Sequence, residues 1–239
     1  MAGSSIGSAA VVGAGLVGSA WAIVFARAGV TVRAFDASED IRRTTVVRIR
    51  ASLEDMAKAG LVDGVDAICS RVTVVDDLRA AVSEVDYVQE SVFERVEEKR
   101  AVSEAVGALI RDDAVVGSSS AGIPASAFTE HAPRRERFLI AHPVNPPHLV
   151  PLVELVPAPW TDPAIVLWLR AAMRRSARPR SSSIGRSRGS SSIACRACFS
   201  RKPGRCSTRV TRAQPTSTSP CPKGWACAGH SWGRSRRST

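Results

Sequence analysis

Apolar positions in the first two-thirds of the chain follow two alternating rhythms. Ser8–Val12 is a short apolar run closed by Gly13, the pattern of a buried strand. Leu16–Ala28 repeats apolar positions at helical spacing and stops at Gly29. Val30–Phe35 alternates and is β-branched, which predicts a second strand. Ser38–Ala59 is a long charged helix with Ser38 placed to cap it. Strands at Val72–Val75, Tyr87–Glu90 and Ala114–Ser118 interleave with helices at Asp77–Val82 and Val96–Ile110. Phe138–Ala141 and Leu152–Val156 are further strands. Strands alternating with helices predict an α/β fold with a doubly wound parallel sheet. No internal repeat is visible.

Near residue 172 the rhythm stops, and composition changes with it. The net charge of +11 is unevenly spread. Residues 1–170 hold 17 Lys and Arg against all 22 Asp and Glu, a net of −5, whereas residues 171–239 hold 16 basic residues and no acid. Cys69 stands alone in the front part; Cys195, Cys198, Cys206, Cys221 and Cys227 crowd the tail. Two units are therefore expected, 1–172 and 173–239. Ala9–Ala26 is apolar enough to resemble a signal segment, but no basic stretch precedes it and three glycines interrupt it. The front part reads as cytoplasmic, with no membrane span.

The glycines carry the first chemistry. In "VVGAGLVGSAW", Gly13, Gly15 and Gly18 form G-x-G-x-x-G between a predicted strand and a predicted helix. Gly13 suits a tight turn, Gly15 a close approach of backbone to pyrophosphate, and Gly18 close helix–strand packing. The helix N-terminus offers free N–H groups to phosphates. Asp36 ends the next strand, 21 residues after Gly15, where a carboxylate accepts from ribose hydroxyls. An acid there repels a 2′-phosphate and favours NAD. The unit 1–172 is thus a Rossmann-type NAD-binding domain.

The second constellation is "AHPVNPPHLVPLVELV". His142 follows a strand, and Glu154 lies in the next apolar run. A glutamate buried there needs a partner, and His142 is the natural one. Such a carboxylate orients the imidazole and makes it a better base for a hydroxyl proton. A purely structural His–Glu pair fits the spacing equally well. His131 and His148 have no comparable carboxylate and read as surface residues.

Taken together, "VVGAGLVGSAWAIVFARAGVTVRAFD", "VQESVFERVEEKR", "SSSAGIPAS" and "AHPVNPPHLVPLVELVPAPWT" resemble the 3-hydroxyacyl-CoA dehydrogenase family. The "HPVNPP" form is nearest its lambda-crystallin, or L-gulonate 3-dehydrogenase, branch. The resemblance covers about residues 8–172. It implies an NAD-dependent oxidoreductase that turns a 3-hydroxy group into a ketone, as in fatty-acid metabolism or on a small hydroxy acid. It also implies His142 as base, Glu154 as its partner, Asn145 near nicotinamide, and Glu94 and Lys99 as further cofactor contacts. By sequence alone, Glu94 and Lys99 read as a solvated charge pair. The family's substrate-contacting serine, 21 residues before the histidine, is Ala121 here, so the adjacent Ser120 is the substitute candidate.

Three readings compete for the tail. A zinc module would use Cys195, Cys198 and later cysteines or His230, but the spacing fits no known pattern. A basic arm for nucleic acid explains the charge but not the cysteines and tryptophans. The third is a frameshift. Read one base back with permitted codon choices, Gly189–Cys206 begins G-F-I-V-N-R-L-Q-G, and the stretch from Lys223 becomes similarly family-like. Both strings resemble the family's helical C-terminal domain, so the slip is expected near Leu167–Ser176. The tail should then be disordered, with apolar faces of the front domain uncovered and the family's homodimer interface lost. A small-molecule substrate is expected, with no nucleic-acid, membrane or metal partner.

Overall fold

The computed structural model describes residues 5–176 and 194–197. Strands β1 (Ser8–Val12), β2 (Thr31–Phe35), β3 (Val72–Val74), β4 (Tyr87–Glu90), β5 (Val115–Ser118), β6 (Phe138–Pro143), β7 (Leu152–Pro157) and β8 (Ala194–Ala197) form one sheet in the order β3-β2-β1-β4-β5-β6-β7-β8. Helices α1 (Leu16–Arg27), α2 (Glu39–Lys58), α3 (Val65–Cys69), α4 (Leu78–Val82), α5 (Val96–Leu109) and α6 (Pro163–Ser176) connect and flank the strands. The six strands from β3 to β6 in that order are mutually parallel. The order steps outward from β1 in both directions, which makes the sheet doubly wound, as expected.

Local chemistry explains the element boundaries. All four residues of β4 and of β5 are buried, which requires unbroken apolar or fully bonded positions. Gly29 turns the chain after α1 with φ +82, a conformation open mainly to glycine. Ser38 caps α2 by accepting from the Ile41 N–H, and Asp77 caps α4 by accepting from the Ala80 N–H at 2.8 Å. One core fills the α1, α2 and α6 side of the sheet, with Trp21 stacked on Phe25 at 5.4 Å. A second lies under α4 and α5, around Val88, Val106 and Val116.

Three features differ from the sequence expectation. First, β7 runs antiparallel to β6. The link from Pro143 to Leu152 contains no helix, and a parallel return needs a crossover of about a dozen residues or more. Second, α6 has no counterpart in the expected elements, and it crosses the boundary placed at residue 172. It buries Ile165, Val166, Leu169, Ala172 and Met173 on one face. Its signals are legible afterwards: Pro163 at the first helical position, and Asp162 Oδ1 accepting from the Ala164 N–H at 2.8 Å. Third, Ala194–Ala197 pair in parallel with β7, inside the stretch expected to be disordered. Apart from residues 173–176, which end α6, the rest of that stretch lies outside the described residues.

Apolar side chains do stand exposed at the carboxyl ends of the strands. Leu16, the first residue of α1, is 82% exposed, and Phe93, in the connection that follows β4, 75%.

The burial of α6 generates a test of where the domain ends. Met173→Ala should cost about 2–5 kcal/mol, whereas Leu167→Ala, on the exposed face, should change stability by less than about 0.5 kcal/mol. Urea unfolding of the two variants against the parent chain reads the difference.

Candidate active site

The three glycines divide their labour as their spacing suggests. Gly13 has φ +89, and a Cβ there would lie 2.7 Å from the Ser91 carbonyl. Its N–H donates to the Phe35 carbonyl at 2.9 Å, tying the turn to β2. Gly18 packs so tightly that a Cβ would sit 1.9 Å from the Gly13 oxygen. Gly15 is the opposite: a Cβ would meet nothing within 4 Å. It caps α1 without a side-chain bond, and the first turn of α1 carries no acid. Open space and unspent N–H groups therefore coincide at the positive end of a helix, which fits a pyrophosphate.

Asp36 closes this turn from the side. Its Oδ2 accepts from the Ala14 N–H at 2.8 Å, and its Oδ1 from the Ser38 N–H at 2.9 Å. A carboxylate has about four lone-pair sites, so the group retains capacity for ribose hydroxyls. Arg42 is spent on main chain, donating to the Asp36 carbonyl at 2.7 Å. These residues fit a dinucleotide such as NAD.

His142 stands near the end of β6, half-buried. Its Nδ1 lies 3.1 Å from the Ser119 carbonyl oxygen. A carbonyl only accepts, so Nδ1 carries the proton and Nε2 is left as the basic nitrogen. Ser119 is itself clamped. Its hydroxyl accepts from Trp21 Nε1 at 3.2 Å and Gln89 Nε2 at 2.8 Å, and lies 2.8 Å from the Ser91 hydroxyl. Sequence reasoning missed Ser119, because nothing in "SSS" distinguishes the middle residue.

Glu154 faces His142 directly across the β6–β7 pair, on the same side of the sheet. It is exposed rather than buried, and no bond joins the two side chains among the described residues. The expectation of a buried, paired glutamate is corrected on this point. β7 alternates exposed and buried residues from Leu152 to Leu155, and Glu154 falls on the open face with Leu152.

Lys99 is fully buried, not solvated. Its Nζ lies 3.0 and 3.2 Å from the two oxygens of buried Glu90, and 3.6 Å from Glu94. Glu90 also accepts from the Val92 N–H and the Ser118 hydroxyl. Glu94 Oε1 gathers the N–H groups of Ala121, Gly122 and Ile123 at 3.0, 3.1 and 3.3 Å, together with the Ser120 hydroxyl. Burial raises the Glu94 pKa, but the Ser120 hydroxyl, the Gly122 amide, Lys99 and the Ala121 amide outweigh it and hold it below the ordinary value. Ser120 is only 1% exposed. Its hydroxyl serves this loop rather than the cleft, while Ala121 takes the exposed place.

Asn145 lies exposed in the turn after β6, followed by a cis bond to Pro146. It helps line a cavity of about 450 Å³ between α1, α2 and the turn at 145–148. His148 lines it too, so the expectation of a surface histidine is corrected, whereas His131 is exposed as expected. Arg27, at the end of α1, donates to the His148 carbonyl at 3.1 Å and the Leu61 carbonyl at 3.2 Å. Among the described residues, no group of three or more His, Cys, Asp or Glu could hold a metal ion, and no helix is long and apolar enough to cross a membrane. The side chains of the tail cysteines and His230 lie outside the described residues.

A glycine turn open to phosphate, an acid at the end of β2 and a histidine at the same end of a parallel sheet define the NAD-binding domain of a dehydrogenase. The model of the 3-hydroxyacyl-CoA dehydrogenase NAD-binding domain matches residues 8–179, and the chain belongs to that family. It is 38% identical over 175 residues to a lambda-crystallin homolog of Bos taurus, covering 72% of this chain and 54% of that protein. It is 35% identical over 159 residues to an L-carnitine dehydrogenase of Streptomyces coelicolor, covering 66% and 49%. The structure of M. tuberculosis FadB2 superposes with a TM-score of 0.71 at 29% identity, covering 81% of this chain and 64% of that one. The chain thus spans about half the length of the curated relatives it matches.

The glycine geometry separates folding from binding. Gly15→Ala should leave thermal stability nearly unchanged yet weaken NAD binding. Gly18→Ala should destabilise the domain by about 1–3 kcal/mol through overpacking. Calorimetric titration with NAD and thermal melts of both variants check this.

Proposed function

We propose that the reaction of this lineage is NAD-dependent oxidation of a secondary 3-hydroxy group to a ketone. The substrate is a 3-hydroxyacyl-CoA of fatty-acid metabolism or a small 3-hydroxy acid; the relative named L-carnitine dehydrogenase supports the second. NAD held in the glycine turn would supply the hydride acceptor for the carbinol carbon. Nε2 of His142 takes the hydroxyl proton, leaving ketone and imidazolium. The Ser119 contact carries this reading, because it holds the imidazole in the tautomer that can act as base. Glu154, the cross-strand neighbour of His142 on β7, is the partner carboxylate in this reading. Gly13, Gly15, Gly18 and Asp36 hold the dinucleotide, with Asn145 near its nicotinamide end. Glu94, Lys99 and Ser120 act through the 119–123 loop. A cytoplasmic setting suits Cys69, a buried free thiol.

We also propose that the tail is the family's helical domain read out of phase, so that this chain turns over little and lacks the family's homodimer interface. The regular burial of α6 through Met173 and the family match to residue 179 support a slip beyond residue 172. The nucleotide sequence across codons 165–180 should show an open −1 frame downstream that encodes the helical domain; a closed frame there would sink this part. In the frame-corrected chain, His142→Gln should lower the rate of NADH formation by about 10²–10⁴-fold with NAD affinity unchanged. Equal rates in the variant and its parent would remove His142 from the chemistry.

A further inference from the structure

The wall of the cavity holds a second histidine whose environment reverses that of His142. Nδ1 of His148 is buried and has no hydrogen-bond partner. A proton placed there would be a donor sealed from water with nothing to bond, so the proton sits on Nε2. Burial, and then the charge of Arg27, hold the His148 pKa below its ordinary value, so the ring stays neutral. Its backbone is fixed from both sides: Arg27 donates to its carbonyl at 3.1 Å, and the Leu149 and Val150 N–H groups both bond the Pro146 carbonyl at 3.0 Å. The ring is therefore presented in a preset place, with Nε2–H as the nitrogen able to reach a ligand.

Among the other polar groups of the cavity, Arg48 and Ser19 are spent, whereas Ser52 and Asn145 also line it. Arg48 donates to the Ala14 carbonyl at 2.9 Å, the Ser19 hydroxyl at 3.0 Å and the Thr44 hydroxyl at 2.9 Å. It contributes positive charge more than free N–H. Leu16, Ile23 and Pro146 make the remaining wall apolar. A cavity of about 450 Å³ has room for a small organic acid, or for part of a larger thioester.

We infer that His148 is a specificity-determining residue: its Nε2–H donates to an anionic oxygen of the substrate, remote from the carbon that His142 serves. The inference rests on the dehydrogenase reading and names the chemistry its substrate must carry. That oxygen belongs either to the carboxylate of a free 3-hydroxy acid or to a phosphate of a coenzyme A thioester.

The test uses the full chain, labelled with ¹⁵N-histidine and saturated with NAD. Long-range ¹H–¹⁵N spectra, assigned with His148→Gln, should show the Nε2–H tautomer at His148 and the Nδ1–H tautomer at His142. Adding 3-hydroxybutyrate in one arm and 3-hydroxybutyryl-CoA in the other should shift the His148 Nε2 signal in at least one. The arm that responds identifies the carboxylate or the phosphate. His148→Phe should weaken that ligand about tenfold, while His148→Gln, which keeps an N–H donor, should restore most of the loss. An Nδ1–H tautomer at His148, a Phe variant that binds as well as its parent, or no shift at His148 in either arm would overturn the inference. A failure of NAD to bind would instead strike the dehydrogenase reading, and the tautomers would still be readable.

Discussion

A single ammonium group, sealed from water, organises this domain. Lys99 is fully buried, and a charge in that position is tolerated only if it is paired and its hydrogen bonds are met. Glu90 provides both of its oxygens, and through them α5 is tied to the carboxyl end of β4. The same carboxylate receives the Ser118 hydroxyl at the end of β5. Glu94, drawn toward Lys99 at 3.6 Å, collects three successive backbone N–H groups of the loop beyond β5. The place of that loop is thus a consequence of where a buried charge finds its counter-charge. Ser119 lies in it, and Ser119 sets the proton on His142.

His142 and His148 show how one side chain is made into opposite tools. Neither tautomer is written in the residue itself. At His142 a backbone carbonyl faces Nδ1 and demands a proton there. At His148 nothing faces Nδ1, and a proton there would be stranded. One ring is left with a bare nitrogen and the other with an N–H. The difference comes from single contacts, not from charge or position in the sequence.

Legibility in the sequence follows the range of the forces involved. The glycine spacing and Asp36 were readable because each answers a local demand: a positive φ, an open approach, a strand end. Most strand and helix limits were readable for the same reason, through caps such as Ser38 and Asp77. Features decided by distant chain segments were not. Glu154 looked buried because its neighbours are apolar, but β7 reverses direction and leaves one face open. Lys99 and Glu94 looked like a surface pair, because Glu90 reaches Lys99 only once β4 and α5 pack. α6 was hidden by the change of composition that begins inside it, although Pro163 and Asp162 mark its start.

Arg27 leads to a consequence of a different kind. One guanidinium holds the Leu61 carbonyl, in the turn beyond α2, and the His148 carbonyl, on the rim of the cleft. Burial lowers its pKa, yet an arginine remains charged at any physiological pH. The group is therefore a strut between two segments far apart along the chain. The turn beyond α2 and the segment that carries His148 are thus tied to one group, and neither can shift without breaking a bond to the same guanidinium.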